Sequence, residues 1–174
     1  MSKQKRFIFY ALVWLLIAAQ NFCGCGFIKE KDKIFTKAGM TITLTEDFTE
    51  KEHDALTAYY ESQNLIVTVL KEDFTALRSV GLSSDLTLAE YAGLVIAANS
   101  IDSEAQEQDG LMFFTYDREA AGELYTYFAS VYKGTDAFWL VRFSCESNDY
   151  DALKEQVVKF AHTVKVDSVS YTHL

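Results

Sequence analysis

The segment Ala137–Cys145 reads AFWLVRFSC and carries the strongest constraint in the chain. In a strand, successive side chains point to opposite faces. Trp139, Val141 and Phe143 then share one face, while Phe138 and Leu140 share the other. A sheet with one wet face would place polar residues at alternate positions. This strand needs apolar cover on both sides. The two segments before it, Leu111–Asp117 (LMFFTYD) and Glu123–Tyr132 (ELYTYFASVY), are similarly rich in aromatic and β-branched residues.

The rest of the chain supplies partners for such a sheet. Ile34–Thr36 and Met40–Leu44 read as strands joined around Lys37-Ala38-Gly39, with Met40, Ile42 and Leu44 alternating with threonines. Ala55–Ser62 and Leu65–Lys71 read as a second pair, with Gln63-Asn64 at hairpin spacing. The polar stretch TEKEHD and the acidic stretch Asp102–Gly110 read as loops. Lys133–Asp136 reads as a hairpin turn whose glycine is available for positive φ.

Three helices are expected. A short one carries Phe74 and Leu77 and ends near Gly81. A second begins at Thr87, which stands three residues before Glu90 in capping-box spacing; Leu88, Tyr91, Val95 and Ala98 recur at helical intervals. The third follows Ser147 or Asn148 as cap and buries Leu153, Val157, Phe160, Ala161 and Val164. A short strand, VKVDS, then returns to a sheet edge. The expected fold class is α+β: a mainly antiparallel sheet of six or seven strands flanked by helices on both faces.

The N-terminus is organised differently. MSKQKR is basic, and Phe7–Ala19 is an apolar run of 13 residues. A spanning helix needs about 20. A basic start, a short apolar run and then small residues read as a secretory leader. In Phe22-Cys23-Gly24-Cys25 the pattern is that of a lipoprotein box, in which cleavage precedes the cysteine that receives a diacylglycerol. Cys25 fits as that lipidated residue; Cys23 does not, because Phe22 precedes it, and Asn21 departs from the usual pattern. The alternative is an uncleaved anchor over Phe7–Ile28. The expected organisation is a signal peptide over 1–24, a tether over 25–33, a single α+β domain over 34–167 and a doubtful tail over 168–174. VSYTHL at the end extends no pattern and looks like translated adaptor sequence, which would leave His173 without meaning.

Charge excludes one class of partner. The chain has 16 basic and 25 acidic residues; without Lys3, Lys5 and Arg6 the balance is 13 against 25. Such a body repels phosphates, so nucleic acid is not an expected partner. No glycine-rich phosphate loop exists, and no proline.

Chemical candidates are few. His53 in Glu52-His53-Asp54 reads as part of a solvated charge run rather than a metal site. His162 sits at a helix C-terminus, where a cation is favoured. Cys145 ends an apolar strand and reads as an inert buried thiol. Asp102, Glu104, Glu107 and Asp109 match no calcium-loop spacing. Tyr59, Tyr60, Tyr91, Tyr116, Tyr125, Tyr127, Tyr132 and Trp139 form either core or an exposed binding patch, and core is the preferred reading. No catalytic residue, metal or cofactor is expected.

Four segments carry a resemblance: GMTITL (Gly39–Leu44), LAEYAGLVI (Leu88–Ile96), DAFWLVRFSC (Asp136–Cys145) and the closing helix. In their order the chain resembles the PsbP-like/DcrB-like family of small α/β/α sandwich domains, over roughly Ile34–Val166. The resemblance implies an exported or lipid-anchored bacterial protein acting as an accessory or partner-binding module. It transfers no site residue. The expectation is therefore a non-catalytic protein on the extracytoplasmic face of the cell membrane, held there by its lipid and contacting an unknown protein. The alternatives are an extracytoplasmic enzyme with an unrecognised site, or an uncleaved membrane-anchored envelope protein.

Overall fold

The computed structural model describes residues 31–167. The expected leader, Cys23, Cys25, most of the tether, and the tail with His173 lie outside the described residues.

Strands β1 (Asp32–Lys37) and β2 (Met40–Thr45) form a hairpin. Its two-residue turn places Ala38 at φ 53° and Gly39 at φ 94°, the positive-φ geometry whose twist matches paired strands. Next come β3 (Thr49–Lys51), β4 (Ala58–Glu61) and β5 (Ile66–Asp73), then α1 (Phe74–Ser79) and α2 (Leu88–Ala98). Four strands follow: β6 (Gln106–Gln108), β7 (Leu111–Ala120), β8 (Glu123–Lys133) and β9 (Ala137–Glu146). Helix α3 (Tyr150–Thr163) and β10 (Lys165–Val166) complete the fold.

Seven strands form one antiparallel sheet in the order β3-β4-β5-β9-β8-β7-β6. β9 is at its centre, as its two-faced apolar pattern requires. On one face, Trp139, Val141 and Phe143 meet Val157, Phe160 and Ala161 of α3 together with Met40, Ile42 and Leu44 of β2. On the other, Phe138 and Leu140 meet Leu77 of α1 and Tyr91 and Ala92 of α2. Tyr91 stacks on Phe138 at 4.4 Å, and its hydroxyl donates to Glu72 at 2.8 Å. Burying one such aromatic ring stabilises the fold by about 2–3 kcal/mol.

β1, β2 and β10 form a separate three-stranded sheet. The expected return strand therefore joins this small sheet, pairing with Thr41 and Met40, and not the large one. The Thr163 hydroxyl accepts the Thr43 N–H at 3.0 Å, fastening α3 beside β2.

Several local expectations are corrected. Two polar stretches read as loops contain edge strands β3 and β6, because pairing with β4 and β7 overrides their poor strand propensity. Ala55–Thr57 stays outside β4. Neither Ser147 nor Asn148 caps α3; Asp149 is the N-cap, in helical backbone geometry and without a side-chain bond. Ala98 is exposed, since the buried face of α2 runs through Tyr91, Ala92, Val95 and Ile96. Gly134 does not have positive φ; a Cβ there would sit tightly, 3.2 Å from Trp139 Nε1 and 3.3 Å from the Asp167 carbonyl oxygen.

Candidate functional site

Helix α3 packs on β2, β8 and β9 and stops short of the β6–β7 hairpin. The adjacent sheet surface is left open, and a groove of about 750 Å³ results. The helix contributes Tyr150, Lys154, Val158 and His162, an i,i+4 row beside its buried stripe. Alternate positions of β7 contribute Leu111, Phe113 and Thr115, and β6 adds Gln106 and Gln108. The floor is aromatic: Phe113 and Phe128 stack at 4.7 Å. The rim is polar, with Asp109, Lys154, Glu155 and His162. At one end the Tyr150 hydroxyl is buried without a hydrogen-bond partner. Burial raises its pKa, and the nearby charges of Cys145, Asp151 and Asp117 push the same way.

A second surface lies on the opposite face of the sheet, at the margin of the cluster that α1 and α2 cover. Tyr116 and Tyr127 stack at 4.9 Å as cross-strand neighbours. The Arg118 guanidinium sits 5.7 Å from the Tyr116 ring centre. Arg142, facing Ala129 and Thr68 in the ladder, donates to the Thr68 hydroxyl at 3.2 Å.

The candidates from sequence are dispersed. His53 is exposed, accepts the Ala55 N–H at 3.2 Å and lies over Tyr59. Its neighbour Glu52 pairs with Lys37 at 3.1 Å. Among the described residues, no group of three or more His, Cys, Asp or Glu could hold a metal ion, so Asp102, Glu104, Glu107 and Asp109 do not converge. Cys145 is buried, and burial above all pushes its thiol up to about 11, with Asp149 and Glu146 adding to the effect. Of the aromatics, Tyr60, Tyr91 and Trp139 are core. Tyr59, Tyr116, Tyr125, Tyr127 and Tyr132 are half-buried. Of these candidates, Asp109 and His162 line the groove.

The other groove residues were not singled out by sequence reasoning. Two signals point to them. Tyr150, Lys154, Val158 and His162 recur every four residues, and Leu111 and Phe113 occupy alternate positions of an edge-proximal strand. Neither signal says that the helix would leave this strand uncovered.

The arrangement of strands and helices decides the fold. The chain has a PsbP-like fold. It is similar to the cyanobacterial PsbP (CyanoP) of Synechocystis sp. PCC 6803, with TM-score 0.54, 15% identity, and coverage of 83% of this chain and 96% of that one. It is also similar to the Saccharomyces cerevisiae Ran-binding protein Mog1p, with TM-score 0.51, 10% identity, and coverage of 81% and 98%. A protein from Bacteroides thetaiotaomicron VPI-5482 matches with TM-score 0.51 and 10% identity over 82% of this chain and 50% of that one. No protein-family model matches the sequence, and no curated protein matches it. At these identities the PsbP-like likeness concerns the fold, and the site must be argued from its own residues.

Proposed function

We propose that this protein is a lipid-anchored, extracytoplasmic partner-binding protein without catalytic activity, and that the groove between α3 and the β6–β7 hairpin is its docking site. The observation that carries the reading is the groove itself: an aromatic floor with a polar rim, about 750 Å³ in volume, on an open side of the sheet. Apolar floors with sparse polar groups are the usual form of a recognition site. Among the tyrosines, Tyr60 is pushed up to about 12, and Tyr91 and Tyr132 are pushed up further. In each case burial is the leading cause, which makes a hydroxyl a poorer acid and not an activated one. Support for the anchor comes from the basic start, the short apolar run and Cys25. A diacylglycerol supplies the two chains that stable anchoring needs.

Two measurements test this. Cys25→Ala abolishes metabolic lipid labelling; labelling that persists, or that is lost with Cys23→Ala instead, overturns the anchor. A photo-crosslinking residue at Val158 in intact membranes captures a partner that one at exposed Ile34 does not. Equal capture at both positions, or substrate turnover that Tyr150→Phe abolishes, overturns the docking site.

A further inference from the structure

β7 runs from Leu111 to Ala120, but β6 pairs with it only over Leu111–Phe113. The two-residue Asp109-Gly110 turn makes Gln108 and Leu111 a hydrogen-bonded pair. By alternation, the odd-numbered residues of β7 direct their N–H and C=O groups to the outer edge, and the even-numbered ones direct theirs to β8. β6 satisfies Leu111 and Phe113. Thr115, Asp117 and Glu119 face no strand, and no backbone bond outside the ladders reaches them among the described residues.

Space lies along this edge. A cavity of about 380 Å³ is lined by Asp102, Thr115, Tyr116, Asp117, Thr126 and Tyr150. It shares Thr115 and Tyr150 with the groove. A further cavity of about 400 Å³ continues past Asp117 and Arg118. The buried, unpartnered Tyr150 hydroxyl lies between the groove and the first of these cavities.

Charge selects the occupant. Along the edge and its two cavities, Asp102, Asp117 and Glu119 are acidic and Arg118 is basic, with Lys154 on the rim of the adjoining groove. Charged residues on a strand edge ordinarily prevent pairing. Here they bar a second copy of this acidic chain, which would bring Asp117 and Glu119 against their own kind.

We propose that an extended, basic segment of a partner protein adds to the free edge of β7 as a further strand in line with β6. The inference rests on the groove reading and names the form its partner takes there. Main-chain bonds to Thr115, Asp117 and Glu119 supply affinity, and alternate side chains supply specificity. Basic side chains lie on the side of Asp117, whose Oδ1 is 2.7 Å from the Thr126 hydroxyl; β-branched ones lie on the side of Tyr116.

The test uses the full chain in nanodiscs and three blocked eight-residue peptides: alternating lysine and valine, alternating glutamate and valine, and the lysine peptide N-methylated at every second amide. The lysine peptide slows hydrogen exchange at Thr115, Asp117 and Glu119 and binds at least about 10-fold more tightly than either other peptide, an advantage that shrinks with added salt. Thr115→Pro, at an edge position where proline is tolerated, weakens it about 10-fold. Asp117→Lys weakens the lysine peptide and strengthens the glutamate one, so the outcome does not depend on how the proline variant folds. Equal binding of the three peptides, no protection at the three amides, or indifference to both variants overturns the proposal. Capture at Val158 that survives Thr115→Pro and Asp117→Lys overturns strand addition while the docking groove stands; loss of capture at Val158 in the unaltered chain removes the groove reading itself.

Discussion

The hydroxyl of Tyr132 donates to the carbonyl oxygen of Ala161 at 2.7 Å, joining β8 to the last turn of α3. The final carbonyls of a helix lack the regular i+4 donor; Ala161 accepts the Val164 N–H at 3.2 Å, and the tyrosine adds a second donor from the sheet. The Tyr132 hydroxyl also lies 2.9 Å from the Ser130 hydroxyl oxygen. Together with Thr163 on Thr43, this contact sets how far α3 extends across the sheet, and so where the groove begins.

Tyr132→Phe keeps the ring and removes the bond. The expected loss of stability is about 1–1.5 kcal/mol. Urea unfolding would show a lower midpoint with an unchanged slope, because the exposed surface is the same. No shift in midpoint would mean that water replaces the tyrosine hydroxyl without cost.

The capping box of α2 is complete: Thr87 Oγ1 accepts the Glu90 N–H at 3.2 Å, and Glu90 Oε2 accepts the Thr87 N–H at 2.8 Å. Thr87→Ala should destabilise the fold by about 1 kcal/mol. The Thr87 backbone N–H, followed by its hydroxyl, holds the Glu90 carboxyl below its ordinary range. A depressed carboxyl contributes stability above its unfolded pKa and loses that contribution as pH falls through the folded one. The gap between wild type and Thr87→Ala should thus narrow below about pH 4, as read by thermal melts across a pH series. A gap that widens in acid contradicts the box.

Two glycines should respond with opposite signs. At Gly134 a methyl group meets Trp139 and Asp167 at 3.2 and 3.3 Å, so Gly134→Ala should cost about 1–2 kcal/mol and shift the Trp139 emission. Gly93 lies within α2 with nothing within 4 Å of a built Cβ. Gly93→Ala should gain about 0.5–1 kcal/mol. Equal effects in a paired denaturation experiment would contradict the packing at the β8–β9 turn.

Cys145 reports on the core through its chemistry. With its thiol pushed up to about 11, it should resist a thiol reagent at pH 8 until the chain is unfolded in urea. Because the folded pKa lies above the ordinary value of 9.0, the neutral form is favoured by folding. That contribution is complete below pH 9 and is lost as pH rises to about 11. Tyr60, raised to about 12, acts in the same direction. Cys145→Ser should flatten the alkaline loss of stability; an unchanged profile assigns the loss to other groups.

Much of the fold is legible because its signals are local. Alternation in Met40–Leu44 and helical spacing in Val157, Phe160 and Ala161 each report one buried face. The edge strands were less legible. Thr49–Lys51 and Gln106–Gln108 are fully polar on the surface and become strands only because a neighbour offers a ladder. The groove was least legible, since Phe113 and Tyr150 are distant in sequence and meet only through layer packing. Gly134 shows the same limit: the tight space around it comes from Trp139 and Asp167, and from no torsion of its own.

Sequence alone determined that the central strand Ala137–Glu146 must be covered on both faces, because apolar residues at consecutive positions point to both sides of a sheet. It also determined the capped helix at Thr87, through a pair of side chains three residues apart. Only the tertiary structure decided that α3 covers β8 and β9 and leaves β6 and β7 open. The position of a helix over a sheet is set by how Val157, Phe160 and Ala161 settle among Met40, Trp139 and Phe143, residues drawn from the whole length of the domain. The open side that results, with the unpaired edge of β7 along it, is a property of the packed layers and of no single segment.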